Sequence, residues 1–128
     1  MSLRSPLGKV LGLGSAKGGS GHWYSQRVTA VALVILGLWF VASLVMLGGA
    51  SYEAVIDWLR SPFSAVLAVL LVAVTAYHAH LGLQVIVEDY VSAKGSRVVI
   101  LIAIKFTLVT ATLIGVLAVL RIAFGVQA

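Results

Sequence analysis

The stretch from Val28 to Leu47 has the sequence VTAVALVILGLWFVASLVML and contains no charged residue. At a rise of 1.5 Å per residue, a helix of about 20 such residues spans the roughly 30 Å hydrocarbon core of a bilayer. The stretch therefore predicts a transmembrane helix, and it sets the fold class of the whole chain.

Two further apolar runs follow. The second begins at Pro62, a residue suited to the first turn of a helix, and the third begins at Val98. The sequence predicts an all-α integral membrane protein with three spans at about 28–47, 62–87 and 98–124, within a transmembrane domain of residues 28–128. Residues 1–27, in which Gly and Ser are frequent, are predicted to form a cytoplasmic N-terminal arm that is not a cleaved leader.

The composition supports a membrane location. Of the 128 residues, 61% are hydrophobic and 10% are charged, and a soluble chain this short cannot bury so much apolar surface. The net charge is +5, but the basic residues flank the spans and carry no interleaved aromatic residues, so we expect contact with lipid and no nucleic-acid binding. The chain has no cysteine, which excludes a zinc-thiolate site or a Cys-ligated iron-sulfur cluster within it.

The basic residues also predict the orientation. The side of a membrane protein that carries more Lys and Arg in its short loops is cytoplasmic. We therefore expect a multi-pass protein of the bacterial inner membrane, more than of the mitochondrial inner membrane, with a cytoplasmic N-terminus and a periplasmic C-terminus. The cytoplasmic set is Arg4, Lys9, Lys17, Arg27, Lys94 and Arg97, and the opposite set is Arg60 and Arg121.

Ionisable residues inside the second span are the main functional signal, because such residues are costly in hydrocarbon and usually face a bundle interior. His78, Gly82 and Asp89 lie on one face of a helix that advances about 100° per residue, whereas His80 points roughly the opposite way. Gly82 has no side chain, so it would let a flat macrocycle approach the helix.

A neutral imidazole is a good axial ligand for heme iron, and electron-transfer hemes are commonly held by two such ligands on facing helices. His78 supplies only one ligand. The second would come from another subunit, which predicts a hetero-oligomer. The alternative is a structural histidine that is hydrogen-bonded to a backbone carbonyl or to a partner helix.

Three residues near the cytoplasmic boundary are candidates for a quinone site. Asp89 and Tyr90 offer a carboxylate and a phenol where a quinone headgroup could meet aqueous protons. Arg27 has the charge and planar fork suited to a heme propionate or a quinone oxygen. Each has a plainer alternative, since Asp often solvates a helix end, Tyr is common at membrane interfaces, and Arg there is often only a topology signal.

The segment from His78 to Val91, HAHLGLQVIVEDYV, resembles the second-helix signature of the smaller hydrophobic membrane anchor subunit of succinate dehydrogenase. The shared pattern is His, then Gly four residues later, then Asp-Tyr eleven and twelve residues later. The resemblance extends to Gln26-Arg27-Val28-Thr29-Ala30 at the start of the first span.

The resemblance implies roles for individual residues. His78 matches the heme b axial ligand of the family, Tyr90 its quinone hydrogen-bond donor, and Asp89 the adjacent acid. Arg27 matches the arginine near the heme propionates and the quinone, and His22 approximates a histidine that precedes it. His80 is a departure, because a large aromatic or apolar residue can stand at that position in the family.

The family function implied is that of a non-dehydrogenase subunit of succinate:ubiquinone oxidoreductase, respiratory complex II. Such a subunit, with a cytochrome b556-type anchor chain, forms a helical bundle that binds heme b, contributes to the ubiquinone reduction site, and docks the iron-sulfur and flavoprotein subunits. Two alternatives stay open: an anchor of a quinol:fumarate reductase, and a structural or assembly subunit without a cofactor.

Overall fold

The computed structural model describes residues 16–125, with side chains from Ser20 onward; residues 1–15, which include Arg4 and Lys9, and residues 126–128 lie outside the described part, as does the side chain of Lys17. The described chain is helical apart from short connections. Its four helices are α1 (Ala16–Met46), α2 (Tyr52–Arg60), α3 (Pro62–Tyr90) and α4 (Lys94–Ala123).

The three predicted spans are confirmed as the three long helices α1, α3 and α4, each long and apolar enough to cross a bilayer. The long helices do not begin and end at the bounds of the predicted spans. Helix α1 begins at Ala16, inside the segment assigned to the arm, α3 continues to Tyr90, and α4 starts at Lys94. Hydropathy marks where apolar residues stop, whereas backbone hydrogen bonding continues through polar residues at the membrane boundary, so the helices extend beyond the apolar runs.

Helix α2 lies between the first two predicted spans, in a polar segment for which the sequence predicts no span. The Ser51 side chain caps the helix by accepting a hydrogen bond from the Ala54 amide at 3.3 Å. Glu53 in the first turn and Arg60 in the last turn complement the helix dipole. Local capping and charge placement therefore stabilise a short helix that hydropathy alone does not reveal.

Two features join α2 to the spans. Trp58 stacks on Trp39 of α1, with ring centroids 5.6 Å apart. Ser61 ends α2 and also caps α3, where its hydroxyl oxygen accepts a hydrogen bond from the Ser64 amide at 3.2 Å. Pro62 occupies the first turn of α3, where its missing N–H costs no helical hydrogen bond.

Helix α3 lies in the middle of the bundle and packs against both α1 and α4, while the described parts of α1 and α4 have no close backbone contact with each other. The contacts of α3 rely on small side chains such as Ser64, Ala65 and Ala68, which are buried. No large side chain in the described chain is fully buried. Most of the apolar surface therefore faces outward, toward lipid or partner helices.

The connection between α3 and α4 is short and is held by an arginine. The Arg97 guanidinium donates two hydrogen bonds to the Val91 carbonyl, at 2.8 and 3.0 Å. This charge-assisted pair satisfies a carbonyl just past the end of α3. It fixes the turn that brings the end of α3 beside the start of α4.

The α3–α4 contact depends on a glycine, which gives a first prediction. A Cβ atom at Gly115 would lie 3.0 Å from Val72 Cγ1, whereas one at Gly95 in the same helix would meet nothing within 4 Å. We expect Gly115→Val to destabilise the protein by about 1–3 kcal/mol through overpacking. Thermal denaturation in detergent should show a lower Tm for Gly115→Val than for Gly95→Val; equal Tm values would contradict close packing at Gly115.

Candidate functional site

The candidate site lies where α1 approaches the middle of α3, and its central residue is His78. Thr29 of α1 is buried, and its hydroxyl oxygen lies 2.8 Å from His78 Nδ1. The side-chain amide nitrogen of Gln26, one turn earlier in α1, lies 3.4 Å from His78 Nε2. Both ring nitrogens of His78 therefore lie within hydrogen-bonding distance of side chains of α1.

These contacts favour one tautomer of the His78 ring. The Thr29 hydroxyl has a single hydrogen, and the Ser25 carbonyl oxygen at 2.8 Å is an acceptor that takes it. Thr29 Oγ1 then accepts a hydrogen bond from His78 Nδ1–H. The amide nitrogen of Gln26 is only a donor, so Nε2 accepts. In this arrangement each of the three contacts has one donor and one acceptor, and the lone pair of Nε2 points toward the Gln26 amide.

An open groove of about 690 Å³ lies beside this contact, between α1 and α3. Gly82, one turn after His78, forms part of its floor, and a Cβ atom there would come to 3.7 Å from the Gln26 amide nitrogen. Two buried atoms at the groove, His22 Nε2 and Gln26 Oε1, have no hydrogen-bond partner within the described chain. The lining residues are His22, Trp23, Gln26, Gly82, Gln84, Val85 and Glu88.

His80 faces a different neighbour, as the helical spacing predicts. It lines a cavity between α3 and α4 together with Tyr77 and Lys105. His78 and His80 are only two residues apart, yet they contact opposite flanking helices. The two histidines therefore belong to separate sites within this chain.

The three residues that the sequence predicts for a quinone site lie away from His78. Asp89 and Tyr90 end α3 and are exposed, with 84% of Tyr90 accessible. Arg27 is also exposed, and its guanidinium lies 5.5 Å from the centroid of the Trp23 ring. The groove is lined by Glu88 and not by Asp89, and Glu88 accepts a hydrogen bond from the Gln84 amide at 2.8 Å.

The structure adds Thr29, Gln26 and Glu88 to the site. Thr29 and Gln26 belong to the Gln26–Ala30 segment, which shares the family resemblance. Nothing in the pattern of that segment indicates a contact with His78. Glu88 was visible only as one of several polar residues at the end of the second span. Their roles depend on how α1 is rotated against α3.

The chemistry available to this site is that of a single, oriented imidazole. In the described residues no group of three His, Asp or Glu side chains is arranged to hold a metal ion. A histidine whose Nδ1–H is fixed by a second group presents Nε2 as a ligand for a metal centre completed elsewhere. The site in this chain is therefore one half of a shared centre or a helix-to-helix hydrogen bond.

Comparison with known proteins gives a consistent result. Residues 1–114 match the family model described as succinate dehydrogenase/fumarate reductase transmembrane subunit. The chain is 36% identical over 108 residues to the succinate dehydrogenase hydrophobic membrane anchor subunit of Rickettsia bellii, covering 84% of this chain and 86% of that protein. It is 33% identical to the protein of the same name from Rickettsia conorii, with the same coverage. The Paracoccus denitrificans protein of that name is 29% identical, over 80% of this chain and 79% of its own length.

Proposed function

The chain belongs to the succinate dehydrogenase/fumarate reductase transmembrane subunit family, as a membrane anchor subunit of succinate dehydrogenase, and we propose that it supplies one axial ligand of heme b and part of the ubiquinone site. The observation that carries the proposal is the 2.8 Å contact between Thr29 Oγ1 and His78 Nδ1. It orients an imidazole inside a transmembrane helix and leaves the lone pair of Nε2 in a single 3.4 Å contact with the Gln26 amide.

The residues around His78 fit a heme. The donor is an imidazole nitrogen, which suits iron. Gly82 keeps the adjoining groove free of a side chain. Among the described residues, Nε2 has one hydrogen-bond contact, with the Gln26 amide at 3.4 Å, a weak contact that an incoming ligand displaces at little cost. The partnerless Nε2 of His22 and the exposed guanidinium of Arg27 are the groups that this proposal assigns to the heme propionates.

When bound, heme b would accept and donate single electrons at this level of the membrane. The residues of this chain orient the ligand. Thr29 holds the His78 ring in one tautomer, because the Thr29 hydroxyl is in turn fixed by the Ser25 carbonyl at 2.8 Å. A second ligand would come from the partner anchor chain, a cytochrome b556-type subunit, since His80 faces the opposite side of α3.

The ubiquinone site is assigned to the cytoplasmic end of α3. The phenol of Tyr90 would donate a hydrogen bond to a quinone carbonyl, and Asp89 would connect it to aqueous protons. Arg27 at the start of the first span is the third member. All three are exposed in this chain, which suits a pocket whose remaining walls come from the iron-sulfur subunit and the partner anchor.

The same proposal sets the sidedness and the partners. The N-terminus and the α3–α4 connection face the cytoplasm of a bacterium, and the C-terminus faces the periplasm, because the basic residues concentrate on the first side. The flavoprotein and iron-sulfur subunits dock on that cytoplasmic side, which places electron delivery next to Tyr90.

Substitution of Thr29 tests the proposal. We expect Thr29→Val to remove the acceptor for His78 Nδ1–H and to weaken heme retention about 10–100-fold, with a shifted heme reduction potential. Thr29→Ser keeps the hydroxyl and should behave as wild type. The measurement is redox potentiometry of the b-type optical signal in the purified complex. A complex that contains this chain but no heme would refute the proposal and favour a purely structural subunit.

A further inference from the structure

The cavity that His80 lines has no role in the proposed function. It has a volume of about 420 Å³ and lies between α3 and α4. Most of its walls are apolar, but Tyr77, His80 and Thr112 of the two helices also line it, and so does Lys105. A polar cluster inside a transmembrane bundle is costly unless its members have partners.

Two of these polar groups lack a partner in the described chain. His80 Nδ1 is buried and makes no hydrogen bond there. Lys105 makes no ion pair, because the one ion pair among the described residues joins Arg60 and Asp57. By contrast, Thr112 is satisfied, since its hydroxyl donates to the Leu108 carbonyl at 2.7 Å.

His80 and Lys105 lie at the same depth. Lys105 follows the first residue of α4, Lys94, by 11 residues, and His80 precedes the last residue of α3, Tyr90, by 10. At a rise of about 1.5 Å per residue, both lie about 15 Å from the end of the bundle that the α3–α4 connection forms. Lys105 is exposed in this chain, so its ammonium group is open at this depth to a neighbouring helix.

This chain has no carboxylate at that depth. Its four acidic residues are Glu53 and Asp57 in α2, at one end of the spans, and Glu88 and Asp89 in the last turn of α3, at the other end. A second copy in the same orientation would have its acids at the same two levels, so it cannot supply a counter-charge. If Lys105 pairs with a carboxylate, that carboxylate belongs to a different chain.

We propose that the α3–α4 cavity receives an Asp or Glu side chain from a transmembrane helix of another subunit of the complex. Lys105 forms the ion pair with that carboxylate, and His80 Nδ1–H donates a hydrogen bond to it. A low dielectric strengthens the attraction within such a pair, and the desolvation of the two charges is offset when each remaining polar atom finds a partner. The inference rests on the proposed membership of this chain in a multi-subunit membrane complex.

The alternative is that Lys105 extends to lipid phosphates at the membrane surface, as lysines near helix ends do. Its position favours the cavity, since Lys105 lines the same space as the buried and partnerless His80. A lysine extended to the headgroups would leave His80 without a partner. The carboxylate satisfies both groups.

Zero-length cross-linking tests the proposal. The purified complex in a nonionic detergent is treated with dicyclohexylcarbodiimide, an apolar reagent that condenses a carboxylate with an amine, and the joined peptides are identified by mass spectrometry. We expect an amide between Lys105 Nζ and an Asp or Glu of another membrane subunit. Lys105→Arg keeps the charge but has no reactive amine, so the complex should assemble and the cross-link should be lost.

Two results would overturn the inference. One is a Lys105 that couples to no carboxylate although it reacts with a small amine reagent. The other is a Lys105→Met complex whose Tm falls only in the presence of anionic lipid, which would assign the lysine to headgroups. A missing cross-link in a complex with normal heme and quinone reductase activity counts against this inference alone, whereas a complex without heme counts against the proposed function.

Discussion

His78→Ala removes the b-type heme signal from the complex that contains this chain, and His80→Ala leaves it in place: this is the largest effect that we expect. The two histidines are matched controls, because they are two residues apart on α3 and differ in the helix that they face. His78 contacts Thr29 and Gln26 of α1, while His80 lines the cavity against α4. Loss of His78 would remove one of the two side-chain ligands that the proposal assigns to the heme iron.

The measurement is the reduced-minus-oxidised optical spectrum of the purified complex, normalised to its flavin content. In the proposed complex the flavin would belong to a soluble partner, so it would report assembly independently of heme. Loss of the signal in His80→Ala with retention in His78→Ala would show that the wrong histidine was assigned. Loss in both, with flavin retained, would indicate that heme binding requires the packing of α3 on both sides.

Tyr90→Phe is expected to lower the rate of quinone reduction about a hundredfold, the usual effect of removing a positioned proton donor. Phenylalanine keeps the ring of Tyr90 and deletes only its hydroxyl, so packing at the end of α3 should be unchanged. Succinate oxidation with an artificial acceptor that takes electrons before the quinone site should stay at the wild-type rate. The defect would thus be confined to the acceptor site.

Tyr52→Phe is the matched control. Tyr52 begins α2 at the opposite end of the spans and is exposed to nearly the same extent, 80% against 84% for Tyr90. We expect its quinone reductase rate to equal that of wild type. If steady-state assays show equal rates for Tyr90→Phe and Tyr52→Phe, the phenol of Tyr90 takes no part in quinone reduction, and its place at the interface is structural.

Much of the fold could be predicted from local sequence. The run from Val28 to Leu47 is long enough and apolar enough to require a span, and the same holds for the runs that begin at Pro62 and Val98. Helix α2 escaped prediction because its stability comes from a serine cap and from end charges, such as Glu53, and not from hydropathy. The long helices also extend past the apolar runs, because backbone hydrogen bonding continues through polar residues.

Part of the candidate site could likewise be predicted from local sequence, and part could not. Helical periodicity is a property of one helix, so it correctly placed His78 and Gly82 on one face of α3 and His80 on another. It also placed Asp89 on the His78 face, but the groove is lined by Glu88. Which residues near the end of α3 line the groove is set by where α1 lies.

The amino-acid sequence is enough to predict a three-span membrane chain with His78 and Gly82 on one face of its central span. These features depend on length, hydropathy and a fixed helical repeat. The contact between Thr29 and His78, 49 residues apart in the chain, and the position of His80 and Lys105 around one cavity on the opposite side are visible only in the folded bundle. Such contacts depend on the relative rotation and depth of separate helices, which are set by packing between them and not by any one segment.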